Sequence, residues 1–270
     1  MEKKAIGVFD SGLGGLTAVK QLLKVLPEEN IIYFGDTGRV PYGNRSNDTI
    51  KKYALQDARF LLKNNVKMVI AACGTVSSVA GDLHDNIGVP YTGVVNPTVY
   101  TAVRTTKNNR VGVIGTSATI SSHSYKRRLQ EENPDIRVFE QDCPLFVPLV
   151  ENGFIDRTDP LVILTIERYL NKLKENDVDT LILGCTHYPI LREAIQYVMG
   201  SNVTLIDSGM ETAYYTKKVL RREGLLTEDN NSGNCKFFVS DTPDGFERVA
   251  SIFLGRKIDD SVTQIDIEEY

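Results

Sequence analysis

The sequence predicts an α/β protein of two related lobes, each a mainly parallel sheet flanked by helices, with the active site in the cleft between them. Two observations lead to this fold. Short apolar runs alternate with longer amphipathic stretches along the 270 residues, and similar strand–turn–helix segments occur in both halves. Strands covered on both faces read as continuous apolar runs, and helical crossovers join parallel strands. Ligands of such sheets bind outside the carboxyl ends of the strands.

The elements follow from this pattern in chain order. The apolar runs predict strands at Ala5–Phe9, Ile31–Phe34, Lys67–Ala71, Val111–Ile114, Arg137–Phe139, Thr180–Leu183, Val203–Ile206 and Lys236–Val239. The amphipathic stretches predict helices at Gly15–Val25, Asp48–Asn64, Ser121–Glu132, Pro160–Lys174, Glu211–Glu223 and Pro243–Leu254. Thr227–Asn234 is polar and is predicted to be a loop, and Asp259–Tyr270 forms an acidic C-terminal segment.

A weak internal repeat divides the chain. IGVFDS at residues 6–11 matches VGVIGT at 111–116, and VIAACGT at 69–75 matches LILGCT at 181–186. The similar separation of the two pairs indicates two related lobes, with chance similarity between apolar strands as the alternative. Asp-Ser-Gly recurs at Asp207–Gly209, where the chain is predicted to return to the first lobe. The predicted division is 1–96 with 208–270, and 97–207.

The composition argues against a protein that binds nucleic acid or a membrane. A formal charge of -4 provides no basic surface for nucleic acid or for an anionic membrane. No apolar stretch reaches the ~20 residues of a membrane span. The N-terminal lysines and apolar run loosely resemble a signal peptide, but Asp10 and the glycines that follow interrupt the run. We therefore expect a first β-strand there and a cytoplasmic protein.

Four cysteines lie far apart, with no C-x-x-C pair, so neither a disulfide framework nor a metal site is predicted. A lone cysteine at a strand end is more often inert core than catalyst. Cys73 and Cys185, however, end corresponding strands, each with a threonine nearby, and Cys185 is followed by His187, which can promote ionisation of a thiol. Cys143 and Cys235 lack such neighbours and are predicted to be structural.

At this point, a series of motifs resembles the glutamate racemases. They are GVFDSGLGGLT from residue 7, YFGDT from 33, VPYG from 40, AACGT from 71, VGVIGT from 111, CPLFVPLVE from 143 and LGCTHYP from 183. The order is that of the family. The resemblance implies two α/β lobes that hold the substrate between them, with the first lobe completed by the C-terminal part of the chain.

The resemblance also implies roles for individual residues. Inverting an α-carbon without a cofactor requires one group to remove a proton and another to supply one on the opposite face. Cys73 and Cys185 would be these groups, with Asp10 beside Cys73 and His187 beside Cys185. The family also associates Glu151 and Asp36 with the active site. Substrate contacts would come from Asp10, Ser11, Pro41, Tyr42, Gly43, Gly74, Thr75, Thr116, Thr119, Thr186 and His187.

Some of these residues have simpler interpretations. An aspartate after a strand commonly closes a turn or caps a helix, which is the alternative for Asp10 and Asp36. Glu151 could be a solvated residue that ends an apolar segment. His84 and His123 match no motif and are predicted to lie at the surface or in the core.

Gly74 departs from the family, which usually has asparagine after the first cysteine. Losing that amide would weaken substrate contacts, change substrate choice, or be offset by water. The sequence alone therefore predicts that Gly74→Asn increases kcat/KM for glutamate.

The implied activity is interconversion of L- and D-glutamate without pyridoxal phosphate, metal or nucleotide. The resemblance further implies a homodimer that supplies D-glutamate for peptidoglycan synthesis. The alternatives are a racemase for aspartate or another amino acid, and a weakly active or non-catalytic amino-acid-binding homologue, suggested by Gly74. A redox protein would need the two cysteines to meet without substrate between them.

Overall fold

A computed structural model describes residues 4–228, 231–244, 246–255 and 262–270. The strands are β1 (Ala5–Asp10), β2 (Ile31–Gly35), β3 (Val66–Ala71), β4 (Tyr91–Gly93), β5 (Arg110–Gly115), β6 (Arg137–Asp142), β7 (Thr180–Leu183), β8 (Thr204–Asp207), β9 (Cys235–Val239) and β10 (Val262–Gln264). The helices are α1 (Leu16–Val25), α2 (Asn47–Lys63), α3 (Gly74–Val79), α4 (Val95–Thr105), α5 (Ser117–Ser121), α6 (Ser124–Glu132), α7 (Phe146–Glu151), α8 (Pro160–Glu175), α9 (Arg192–Met199), α10 (Ser208–Arg222) and α11 (Phe246–Leu254).

The strands form two sheets. The first has the order β10-β9-β2-β1-β3-β4 and the second the order β6-β5-β7-β8. Every described strand pair is parallel. Apolar side chains on both faces of β1, β3, β5 and β7 are buried under the helices, which explains their continuous apolar runs. The predicted class, two parallel sheets flanked by helices, is confirmed.

The sheets take their strands from separate parts of the chain. The second sheet lies within residues 110–207, while β9 and β10 return to the first sheet beside β2. The residue boundaries 1–96 with 208–270, and 97–207, remain a proposal. The end of the chain packs on α2, where the Tyr270 ring lies 5.3 Å from that of Phe60 and Lys63 Nζ lies 4.1 Å above it.

All eight predicted strands and all six predicted helices are present, most of them with shifted ends, but several elements were not predicted. β4, β10 and the short helices α3, α5 and α7 offer too few residues for a periodic signal. The predicted helix from Ser121 is divided, because His123 has a left-handed φ of 51° between α5 and α6. Parts of the predicted Thr227–Asn234 loop, the Pro243–Leu254 helix and the acidic segment, namely 229–230, 245 and 259–261, lie outside the described residues.

Parallel topology brings the reactive residues to the cleft. β1 and β3 are neighbours in the first sheet, as β5 and β7 are in the second. Ala72 separates β3 from Cys73, and Gly184 separates β7 from Cys185. The lobes touch directly behind this edge, where Thr17 Oγ1 donates to the Thr186 carbonyl oxygen at 2.9 Å. The carboxyl ends of both sheets therefore face one cleft.

Candidate active site

A cavity of about 470 Å³ lies between the lobes. It is lined by all but one of the residues predicted for the site: Asp10, Ser11, Pro41, Tyr42, Gly43, Cys73, Gly74, Thr75, Thr116, Thr119, Glu151, Cys185, Thr186 and His187. The remaining one, Asp36, does not line it. Sequence reasoning did not assign the rest of the lining, which includes Gly12, Val40, Ser117, Cys143, Pro144, Val147, Pro148, Gly184 and Tyr188.

Cys73 is held as a neutral thiol. Its side chain is buried, and its Sγ lies 3.2 Å from Ser11 Oγ. Burial, followed by the nearby charge of Asp10, raises the pKa of Cys73 to about 12. This sulfur is therefore equipped to supply a proton.

Asp10 satisfies both interpretations drawn from the sequence. Its Oδ2 accepts a 2.9 Å hydrogen bond from the Gly15 N–H, which closes the turn before α1. It also lines the cavity beside Cys73. Burial raises the pKa of Asp10, while backbone N–H groups and His187 act against that rise.

Cys185 has a different environment. Its Sγ lies 3.9 Å from His187 Nδ1, and His187 Nε2 lies 3.1 Å from Glu151 Oε1. The ring of Phe253 meets the imidazole edge to face at 5.1 Å. Burial disfavours the imidazolium, yet the contacts with Cys185 and Glu151 outweigh it and raise the pKa of His187 to about 10. A protonated His187 places a positive charge beside Cys185 Sγ.

Three hydroxyls connect the lobes on the wall of the cavity. Thr75 Oγ1 lies 3.2 Å from Thr116 Oγ1, which lies 3.0 Å from Thr119 Oγ1. Thr116 also caps α5, because its Oγ1 accepts from the Thr119 N–H at 3.3 Å. These rotatable hydroxyls can donate to a substrate carboxylate.

Gly74 touches the opposite lobe. A Cβ built on Gly74 would lie 2.3 Å from the carbonyl oxygen of Gly184, a backbone atom that cannot turn aside. The absence of a side chain at Gly74 therefore leaves no empty space in the cavity, because the backbone of Gly184, the residue that follows β7, occupies that position. This geometry argues against the gain expected of Gly74→Asn, since any side chain would push the lobes apart.

Asp36 was predicted at the active site, and the structure places it behind the cavity wall instead. Its carboxylate is fully buried and pairs with Arg39 at 2.6 Å. The hydroxyl of Tyr42, which does line the cavity, donates to the same carboxylate. Asp36 is therefore separated from the cavity by Tyr42.

The remaining cysteines and histidines lie in ordinary surroundings. Cys143 lines the cavity but is fully buried, and burial raises the pKa of its thiol. Cys235 is half-buried on β9, away from the cavity. His84 and His123 are exposed, and His123 pairs with Glu140 at the surface. Over the described ranges no group of three or more His, Cys, Asp or Glu side chains is placed to hold a metal ion. No described helix combines the length and apolar character of a bilayer span.

The site defines the class of protein. Two parallel α/β lobes each contribute one thiol to a shared cavity. Two proton-carrying groups are the number that an isomerase needs to invert a carbon centre without a cofactor. A family model described as Asp/Glu/Hydantoin racemase matches residues 17–215. The chain belongs to this family, and its enzyme class is that of a racemase, an isomerase.

Individual relatives agree with this assignment. The chain is 46% identical over 269 residues to a glutamate racemase of Geobacter metallireducens, which covers 99% of this chain and 98% of that one. A crystal structure of glutamate racemase from Francisella tularensis in complex with D-glutamate matches with a TM-score of 0.91 at 38% identity, covering 100% of both chains. The RacE1 isoform of glutamate racemase from Bacillus anthracis matches with a TM-score of 0.92 at 36% identity, covering 98% of each chain.

Proposed function

We propose that this protein interconverts L- and D-glutamate, with Cys73 and Cys185 as the two proton-transfer groups. The observation that carries the proposal is the pair of unlike thiols, one from each lobe, opening on one cavity. Cys73 is neutral, whereas Cys185 lies beside a protonated imidazole. One sulfur is thus prepared to donate a proton and the other to accept one, as inversion requires. The similarity to glutamate racemases supports glutamate as the substrate.

The binding residues follow from the same cavity. We assign the substrate carboxylates to hydroxyl and backbone donors among Ser11, Thr75, Thr116, Thr119 and Thr186, since these line the cavity. Asp10 is assigned to the Cys73 side and His187 with Glu151 to the Cys185 side. Pro41, Tyr42 and Gly43 would form the wall that faces the substrate.

Circular dichroism of pure L-glutamate and of pure D-glutamate, with purified protein and no added cofactor, tests the activity. Both signals should decay to zero. A parallel panel with aspartate and neutral amino acids tests the nearest alternative, a racemase for another amino acid. Binding of glutamate without any decay would instead identify the non-catalytic homologue.

The wider assignments implied by the resemblance belong to this proposal. We infer a cytoplasmic homodimer that needs no cofactor and supplies D-glutamate for peptidoglycan synthesis, with no nucleic-acid or membrane partner. Exposed apolar side chains at Leu145, Phe154, Leu161 and Leu164 are candidates for the covered surface of a dimer. Light scattering on the eluted protein measures the oligomeric state, and rescue of a D-glutamate auxotroph measures the cellular role.

Solvent deuterium should enter the product before the substrate. With two monoprotic thiols on opposite faces, the hydrogen taken from the α-carbon stays on one sulfur while a deuteron arrives from the other. In deuterated water, D-glutamate formed from L-glutamate should carry deuterium from the first turnovers, and recovered L-glutamate should stay largely protonated. Proton NMR of both enantiomers at early conversion measures this. Equal labelling of substrate and product would indicate a single base that exchanges its protons.

His187→Asn should lower kcat/KM by about 100-fold, within the usual range for removing a group that assists proton transfer. Asparagine cannot carry the positive charge that the imidazolium places beside Cys185 Sγ. The loss of kcat/KM should be equal in both directions, because the two enantiomers have the same free energy, whereas kcat should fall more in one direction. Exposed His84 offers the matched control, His84→Asn, which should leave the rate unchanged.

The same variant should change the pH dependence of stability. The pKa of His187 is raised to about 10 in the folded protein, against about 6.5 unfolded. Its contribution to stability is fully present below pH 6.5 and is lost as the pH rises through 10. The wild-type Tm should therefore fall between these values by about 3 °C or more. A Tm profile of His187→Asn as steep as the wild-type profile would contradict the assignment.

A further inference from the structure

A buried polar cluster supports one wall of the cavity. Arg39 Nε lies 2.6 Å from Asp36 Oδ2, and Arg39 Nη2 lies 3.0 Å from Asp57 Oδ1. Tyr42 Oη contacts both carboxylates, through Asp36 Oδ2 and, at 3.1 Å, through Asp57 Oδ2. Asp36 and Asp57 are fully buried. The cluster therefore holds two carboxylates and one phenol away from water, beside a guanidinium whose side chain is 11% exposed.

Counting hydrogens shows where a proton must lie. Asp36 is surrounded by donors, since Arg39 Nε and Tyr42 Oη donate to its Oδ2 and Ser240 Oγ donates to its Oδ1 at 2.7 Å. The phenol has one hydrogen, and the shorter of its two contacts, to Asp36, takes it. Tyr42 Oη also lies within donating distance of Asp57 Oδ2, at 3.1 Å, but its single hydrogen cannot serve both carboxylates fully. A proton on Asp57 Oδ2 satisfies both contacts, because Asp57 then donates to Tyr42 Oη while Tyr42 donates to Asp36.

Charge balance gives the same answer. One guanidinium compensates one carboxylate, and a second buried negative charge would have no partner of its own. Burial, followed by the neighbouring charge of Asp36, raises the pKa of Asp57 well above its ordinary value, although Arg39 and the hydrogen bond with Tyr42 act in the opposite direction. Besides these groups, Asp10 contributes to the rise, Gln56 Oε1 accepts from Arg39 at 2.7 Å, and Glu268 reaches Arg39 from the surface at 3.3 Å.

The buried polar cluster is attached to the cavity wall through two residues. Arg39 and Tyr42 are both anchored in it, and Val40 and Pro41 lie between them on the cavity wall. The Tyr53 ring covers the guanidinium, whose Cζ lies 4.0 Å from the ring centroid. We propose that Asp57 is a positioning residue which carries a proton in the folded enzyme and, together with Arg39, holds the Val40–Gly43 wall against the substrate through Tyr42. This deepens the racemase function proposed above and rests on it.

Kinetics of two Asp57 variants test the positioning role. Asp57→Ala should raise KM for glutamate by about tenfold with a smaller change in kcat, because the wall is displaced while both thiols remain. Asp57→Asn should restore KM, since its Nδ2 donates to Tyr42 and its Oδ1 accepts from Arg39, as the protonated carboxyl does. An unchanged KM in a folded Asp57→Ala protein would overturn the role. If Asp57→Asn does not restore the KM for glutamate, the proposal that Asp57 carries a proton is wrong.

A second measurement needs no activity, so it separates this proposal from the proposed function. Above pH 4 aspartate is ionised in the unfolded chain, so the wild-type protein must take up a proton at Asp57 when it folds. Asp57→Asn takes up no proton at this position. The Tm of Asp57→Asn minus that of the wild type should therefore increase from pH 4 to pH 7. A difference that decreases over this range would show that Asp57 is ionised and would overturn the proposal.

Discussion

Cys73→Ala and Cys185→Ala should each lower kcat/KM by about 10³-fold or more for both enantiomers of glutamate. Each thiol is the proton carrier for one face of the α-carbon, and the acid of the forward reaction is the base of the reverse reaction. A loss of this size corresponds to about 4 kcal/mol of transition-state stabilisation. The loss of kcat/KM must be equal in the two directions, because the equilibrium constant between the enantiomers is one.

The measurement is the initial rate of loss of circular dichroism from each enantiomer. Cys235→Ala is the matched control, since Cys235 lies on β9 and does not line the cavity. Its activity should be close to that of the wild type. Near-normal racemisation by either of the cavity variants, with the fold verified by Tm, would exclude the two-thiol mechanism.

Gly74→Asn should lower kcat/KM, contrary to what the sequence alone suggests. A side chain at this position meets the Gly184 carbonyl oxygen, which a Cβ would approach to 2.3 Å. Overpacking of this kind costs about 1–3 kcal/mol. The part of this cost that opposes closure of the lobes on the substrate lowers kcat/KM, by up to about 150-fold. Gly74→Ala should show most of the same loss, because the clash begins at Cβ.

Gly81→Ala provides the control, since a Cβ there meets no atom within 4 Å. Its kinetics and Tm should match those of the wild type. An increase in kcat/KM for Gly74→Asn would show that the lobes separate enough in solution to admit the amide. The loss of asparagine would then be a true deficit in substrate binding.

Much of the site could be predicted because strand ends carry it. The apolar runs before Cys73 and Cys185 identify buried strands, and the parallel topology then brings their carboxyl ends together. The motifs located Asp10, His187 and Glu151 in the same cavity. What the sequence could not show is which residues, distant in the chain, contact one another. The contact of Gly74 with Gly184 joins residues distant in the chain.

Some features were missed although a signal was present. Helix α4 has Pro97 near its start, where a helix interior would not tolerate it but a first turn does. On α2, Asp57 falls on the same helical face as the buried Ile50, Ala54 and Leu61, so its spacing indicated burial. A charged residue in an amphipathic helix typically lies on the solvent face, and the sequence analysis does not predict the buried cluster with Arg39.

The route of the chain between the sheets has a consequence for how the protein forms. All strands of the second sheet lie within residues 110–207, whereas the first sheet begins at Ala5 and adds β9 and β10 only near the end of the chain. Contacts that close such a long loop form late, and domains assemble as units as the ribosome releases them. The second lobe should therefore be complete on the ribosome before β9 is synthesised. During this interval β2 is an edge strand of the first sheet. Until then, β2 presents unpaired backbone groups to other nascent chains, and aggregation during overexpression should begin there.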